Sequence, residues 1–113
     1  MTPAKLVSSL PESIRVGAFD IALKAVDATD ASVMEAHGYF DAGPSIIGIR
    51  TNHPSPPRVA DTLLHETLHA IWWTAGLKDS DDEERVVSAL GVGLTQVLRD
   101  NPWLLKWLAK ALA

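Results

Sequence analysis

The sequence predicts an α+β fold in which a small antiparallel sheet in the N-terminal half is followed by three helices. Apolar residues alternate loosely with polar ones from Ile14 to Val26 and return in Ile46–Ile49, as they do in half-buried strands. From Val59 onward they recur every three or four residues, which is the spacing of a helix. The chain has 113 residues, of which 47% are hydrophobic, so we expect a single domain over residues 1–113.

Short β segments are predicted in the N-terminal half. One strand lies near Phe19–Val26, where apolar and polar residues alternate. Gly38–Asp41 and Ser45–Thr51 stand on either side of a Gly-Pro turn, which is typical of a hairpin.

Two helices of the C-terminal half have recognisable ends. Ser55 precedes two prolines and is a suitable N-cap, and Gly76 is a natural helix stop because it tolerates a positive φ. Ser80 and Glu83 have the spacing of a capping box, so a second helix is predicted to begin there and to continue to about Arg99.

A last amphipathic helix is predicted from Pro102 onward. Its tryptophans, Trp103 and Trp107, suggest packing over the two preceding helices. Only Lys106 and Lys110 provide positive charge, which is a weak signal for a membrane surface, so we expect no membrane partner.

The composition excludes several classes of protein. The absence of cysteine excludes a disulfide scaffold, a cysteine metal site and a thiol nucleophile. Ten basic residues against fourteen acidic ones leave no dense basic face, so no nucleic-acid partner is expected. No apolar run approaches the ~20 residues that cross a bilayer, and the first residues do not resemble a signal peptide. We therefore expect a soluble, cytoplasmic protein.

The motif His65-Glu66-Thr67-Leu68-His69 lies inside the first of these helices. Residues i and i+4 of a helix are about 40° apart around the axis and about 6 Å apart along it, so both imidazoles can bind one metal ion. Glu66 misses the metal itself but can reach a metal-bound water. Two histidine ligands and a nearby base are what a zinc hydrolase requires, so the motif predicts bound Zn²⁺ and Glu66 as the catalytic base.

The acids that open the next helix are the candidates for a third zinc ligand, because no cysteine is available. If the two helices form an antiparallel hairpin, Glu84 and His69 differ by only a few ångströms in their distance from the turn along the helix axes. A glutamate side chain can span that difference, so we predict Glu84 as the ligand. Glu83 is the alternative, although a capping box would direct its carboxylate back to Ser80. Asp81 and Asp82 are interpreted as a solvated helix start.

Three further polar residues receive weaker predictions. His37 and His53 are expected to face solvent. Asp61 precedes His65 by one turn, so it could accept a hydrogen bond from that imidazole, although a plain solvated side chain is the favoured interpretation.

These motifs resemble those of the gluzincin branch of zinc metallopeptidases. Within that branch, the chain is similar to small phage- or prophage-associated proteins related to the ImmA/IrrE metallopeptidases. The resemblance rests on the H-E-x-x-H motif and on the Glu83-Glu84 helix start that follows it. It also includes the segments Gly38–Asp41 and Gly93–Pro102.

The resemblance implies a minimal zincin-like domain with zinc on His65, His69 and Glu84. It implies that Glu66 is the general base and later the proton donor to the leaving amine. It also implies that Ser45–Thr51 is an edge strand that pairs with an extended peptide substrate. Larger relatives use an oxyanion donor, for which the candidates here are Tyr39 and Arg99.

We therefore expect a zinc metallopeptidase that acts on a peptide or protein substrate as a monomer or small homo-oligomer. The alternative is a zincin-fold regulatory or binding module in which zinc is structural and no turnover occurs, since no second lobe is present to hold a substrate.

Overall fold

A four-stranded sheet and four helices form the part of the chain that the computed structural model describes, residues 1–27, 29, 36–78 and 80–113. This confirms the α+β class. The helices and strands are, in chain order, α1 (Pro3–Ser8), β1 (Ser13–Val16), β2 (Phe19–Val26), β3 (Gly38–Asp41), β4 (Ile46–Arg50), α2 (Pro56–Thr74), α3 (Glu83–Asp100) and α4 (Pro102–Ala111).

The sheet is mixed, so the prediction of an antiparallel sheet was wrong. Its strand order is β1-β2-β4-β3, in which two antiparallel hairpins are joined by parallel pairing of β2 with β4. Leu23 pairs with Ile47 at the centre of this parallel ladder. Alternation along one strand predicts which side chains are buried but not the direction of the neighbouring strand, which depends on the connection between the hairpins.

The strand expected at the edge of the sheet lies in its interior. β4, which occupies most of the predicted segment Ser45–Thr51, is paired on both sides. The edge strands among the described residues are β1 and β3, of which β3 has the more extensive contact with α2. Three successive residues of β4, Ile47 to Ile49, are buried. Burial of a whole run is typical of a central strand and not of an edge strand.

One face of the sheet packs on α2 and forms the core. Ile21, Ile47 and Ile49 are fully buried there, against Val59 and Ala70 of α2. The short helix α1 adds Val7 to this core. Because the apolar face of α2 packs on the sheet, the polar residues on its other faces are held in fixed positions near β3.

Gly76 ends α2 as predicted. It adopts a φ of +72°, and its N–H donates to the carbonyl of Trp73 at 3.0 Å. The next N–H, that of Leu77, donates to the carbonyl of Trp72 at 3.2 Å. This pair of bonds is a Schellman motif, in which a residue with positive φ satisfies the last carbonyl groups of the helix.

The last helix does not pack as expected. All residues of α4 are described and none of them is buried; Trp103 and Trp107 are more than half exposed. The prediction that α4 covers the two preceding helices was therefore wrong. Within the described part of the chain, no helix is both long and apolar enough to cross a membrane.

Candidate metal centre

Two histidines of α2 and one glutamate of α3 converge at the surface of the molecule. The Nε2 atoms of His65 and His69 lie 3.2 Å apart. The carboxylate of Glu84 bridges them, with Oε1 2.9 Å from His65 Nε2 and Oε2 3.0 Å from His69 Nε2. One ligand atom from each residue lies within 4.8 Å of the others, so this group could hold a metal ion.

The chemistry of these donors fits zinc. Two neutral imidazole nitrogens and one carboxylate oxygen are a common zinc ligand set, and a catalytic site leaves a fourth position open. The imidazoles of His65 and His69 are largely buried, whereas the side chain of Glu84 is 67% exposed. A cation held by these three groups would therefore be accessible from solvent on the side of Glu84.

Glu83 contacts the opposite nitrogen of His69. Its Oε2 lies 2.6 Å from His69 Nδ1, and its side chain is mostly buried. The predicted capping box is thus not formed: the N–H of Glu83 donates to the carbonyl of Ser80 at 3.1 Å, but the Glu83 carboxylate does not return to that residue. A carboxylate behind a ligand histidine fixes the ring and its tautomer, a role that sequence reasoning missed.

Glu66 is a buried carboxyl group beside the histidines. It is 6% exposed, and its pKa is raised to about 7, chiefly by burial; His69 opposes this rise and the charge of Glu84 adds to it. A carboxyl group with a pKa close to neutral pH is well matched to accept and return a proton. The catalytic role of Glu66 stays a prediction.

Asp61 neither forms a hydrogen bond with His65 nor faces solvent freely. Its Oδ2 lies 3.5 Å from Nη1 of Arg58, one turn earlier on α2. Its Oδ1 is buried and has no hydrogen-bond partner among the described residues. The hydrogen bond to His65 is therefore not formed in this structure, and the favoured prediction of a solvated side chain was wrong, because α3 approaches closely here through Gly91.

The two remaining histidines lie in different environments. His37 is exposed, as predicted, but His53 is only 7% exposed, so the prediction that it faces solvent was wrong. The two rings are 5.3 Å apart. Burial lowers the pKa of His53, and neighbouring positive charges add to this shift. A proline-rich segment predicts an exposed loop, so the sequence favours an exposed histidine. His53 is buried because the loop that carries it packs against the rest of the molecule.

Two cavities meet at Glu66 and His69 and together form a cleft along α2. A cavity of about 540 Å³ extends toward the start of α2, where His37 and Arg58 line it. A cavity of about 380 Å³ extends toward the end of α2. The second cavity is lined by Phe40, Ala42, Glu66, His69, Trp72, Trp73 and Glu83.

The candidate oxyanion donors are not brought to the metal centre. A Cβ at Gly48 would clash with the ring of Tyr39, so that ring lies on the face of the sheet opposite α2, away from the histidines. Arg99 lines a separate cavity of about 290 Å³ near Ser55. Neither residue is among the described residues that line the cleft.

Comparisons of this chain with models of protein families, with curated proteins and with solved structures found no match. A functional assignment therefore depends on the chemistry of the metal centre and its cleft.

Proposed function

We propose that this chain is a zinc-dependent metallopeptidase of the gluzincin type that hydrolyses a peptide or protein substrate. The observation that carries the proposal is the convergence of His65, His69 and Glu84 beside the buried carboxyl group of Glu66. A solvated ion-pair cluster would not require a buried acid next to it, whereas hydrolysis by activated water requires a base at that place.

The proposed mechanism divides the work among these residues. His65, His69 and Glu84 would hold the zinc ion, which would supply Lewis acidity for the attacking water and the peptide carbonyl. Glu66 accepts the proton of the attacking water and delivers it to the nitrogen of the leaving amine. Glu83 holds His69 in the tautomer that presents Nε2 as a lone-pair donor.

The outer edge of β3, which no described strand pairs with, is suited to hold an extended peptide. The N–H of Arg50 donates to the carbonyl of His37 at 2.9 Å, so His37 belongs to a hydrogen-bonded pair of this antiparallel ladder. Hydrogen-bonded and non-hydrogen-bonded pairs alternate along an antiparallel ladder, so Gly38 and Phe40 belong to non-hydrogen-bonded pairs. Their backbone N–H and C=O groups therefore point away from β4. A substrate strand can pair with these groups, with its backbone running along the cleft.

The decisive experiment is Glu66→Gln, with zinc content and peptide cleavage measured together. The variant should retain zinc, because Glu66 is not a ligand, and should lose turnover of a mixed peptide library by about 10²–10⁴-fold. The exposed Glu12→Gln serves as a matched control and should match the wild type. Unchanged cleavage by Glu66→Gln at full zinc occupancy would overturn the mechanism.

A second candidate is a regulatory or binding module in which zinc is structural. The exposed tryptophans of α4 favour it, because a helix without buried residues leaves apolar surface for a partner protein. For such a module, zinc removal would lower the melting temperature, while no peptide of the library would be cleaved by the wild type.

A further inference from the structure

Aromatic side chains form one end of the cleft. Phe40, Trp72 and Trp73 line the cavity of about 380 Å³, and we call this cavity the aromatic subsite. The Trp73 ring contacts Phe40 and Phe19, with centroid distances of 5.8 and 5.0 Å. This arrangement holds the Trp73 ring in place at the wall of the cavity.

The aromatic subsite is open to solvent, although Phe40 also packs against the core. Trp73 is 38% exposed and Phe19 is 43% exposed. The indole N–H of Trp72 donates to the carbonyl of Lys78 at 3.1 Å, so its polar atom is already satisfied. The cavity therefore presents apolar ring surface that another apolar side chain can cover.

The opposite end of the cleft, which we call the polar end, has no phenylalanine, tyrosine or tryptophan among the described residues that line it. Its lining includes the ionisable side chains of His37, Arg58 and Asp61 beside the apolar Val92. His65, His69 and Glu84 all line the polar end, and His69 also lines the aromatic subsite, so the metal centre lies where the two cavities meet. A bound peptide would thus place its residues on either side of the cleaved bond in unlike surroundings.

The direction of β3 determines which side of the peptide meets the aromatic subsite. β3 runs from Gly38, at the polar end, to Phe40 and Asp41, at the aromatic end. A strand that pairs antiparallel to β3, the more stable arrangement, runs the opposite way. Its residues on the amino side of the cleaved bond then lie near Phe40, and those on the carboxyl side lie near Gly38.

We propose that the aromatic subsite receives a large apolar side chain, such as that of phenylalanine or leucine, on the amino side of the cleaved bond. This inference rests on the proposed peptidase function and names its substrate class. The described residues that line the polar end include no phenylalanine, tyrosine or tryptophan, so a large apolar residue on the carboxyl side finds no aromatic ring to cover there.

Peptide hydroxamates that bind zinc test the inference without requiring turnover. In one pair of probes the hydroxamate replaces the carboxyl end of acetyl-phenylalanine or acetyl-glycine, so the side chain occupies the amino side. In the second pair, a malonyl hydroxamate with or without a benzyl group places the side chain on the carboxyl side. Burial of a phenyl ring predicts about 10- to 100-fold tighter binding of the phenylalanine probe than of the glycine probe. The second pair should differ by less than about 3-fold.

Variants assign this preference to the aromatic subsite. Trp73→Ala should reduce the ratio of phenylalanine to glycine affinity below about 5-fold, since much of the apolar wall is removed. Ala42→Leu, which fills the cavity without removing a core residue, should reduce the same ratio if Trp73→Ala fails to fold. Trp107→Ala, on α4, is the matched control and should retain the ratio of the wild type.

The outcomes separate this inference from the proposed function. An unchanged ratio in Trp73→Ala and Ala42→Leu, or a benzyl preference on the carboxyl side, would overturn the inference and leave the peptidase function intact. A phenylalanine preference without cleavage of any library peptide would support the subsite but overturn the peptidase function. Absence of zinc, or of hydroxamate binding by the zinc-loaded chain, would overturn both.

Discussion

Glu83 and Glu84 are neighbours in sequence but contact different nitrogen atoms of His69. Successive residues of a helix are about 100° apart around its axis, so the two carboxylates approach the ring from either side. Glu83 lies 2.6 Å from Nδ1 and Glu84 lies 3.0 Å from Nε2. A carboxylate at Nδ1 retains the proton there and leaves the Nε2 lone pair for a cation. The two residues therefore have distinct roles in the proposed zinc site.

Replacement of each acid tests this division. Glu83→Ala should weaken zinc binding about 10- to 100-fold, the usual cost of losing the partner of a ligand histidine. Glu84→Ala should weaken it more, because a ligand is removed. Competition with a chromophoric chelator measures both affinities, and the exposed Asp82→Ala is the matched control. A larger loss in Glu83→Ala than in Glu84→Ala would reverse the two roles.

At the scale of elements, the cleft depends on the close approach of β3 to α2. A Cβ at Gly38 would lie 2.7 Å from the carbonyl oxygen of Gly48 and 2.8 Å from Cγ2 of Thr62. It would also lie 3.5 Å from Cγ of Glu66, so Gly38 lies directly beside the proposed general base. Only a glycine allows the edge strand to lie this close to the helix that carries the motif.

Gly38→Ala should therefore destabilise the protein. The added methyl group must displace β3 or α2, and overpacking of this kind costs about 1–3 kcal/mol in the free energy of unfolding. Gly93→Ala is the matched control: a Cβ there meets nothing within 4 Å, and alanine favours the helix by up to about 1 kcal/mol. Urea denaturation measures both. Equal stability of Gly38→Ala and the wild type would show that β3 can move away from α2 at little cost.

At the scale of the whole molecule, the core and the C-terminal helix are nearly independent. The core joins the sheet to α2, and even the short helix α1 contributes Val7 to it. Helix α4 contributes no buried residue, and Leu105 is 55% exposed. Stability should therefore depend little on the last helix of the chain.

Truncation tests this independence. A chain that ends at Asn101 should keep its free energy of unfolding within about 1 kcal/mol of the full chain, because little buried apolar surface is lost. Removal of residues 1–8, a shorter segment, should cost more because Val7 leaves the core. Urea denaturation compares the two. A larger loss on removing α4 than on removing α1 would contradict the prediction.

Some features follow from local geometry and were therefore readable in the sequence. His65 and His69 share a helix face because residues four apart always do. Gly76 ends α2 because a positive φ is easily adopted only by glycine. The proximity of Glu84 to the histidines was predicted from the distance of each residue from the turn along its helix axis. That estimate requires only the rise per residue and the length of the turn.

Other features depend on which elements become neighbours, and only the tertiary structure decided them. The sequence by itself determined the α+β class, the helix that carries the H-E-x-x-H motif and the acids that follow it. The tertiary structure decided that β3 is the edge strand beside α2, that His53 is buried and that Glu83 supports His69 instead of capping α3. The physical reason is that periodicity records how much of each side chain is covered, whereas strand order and carboxylate partners depend on contacts between residues distant in sequence.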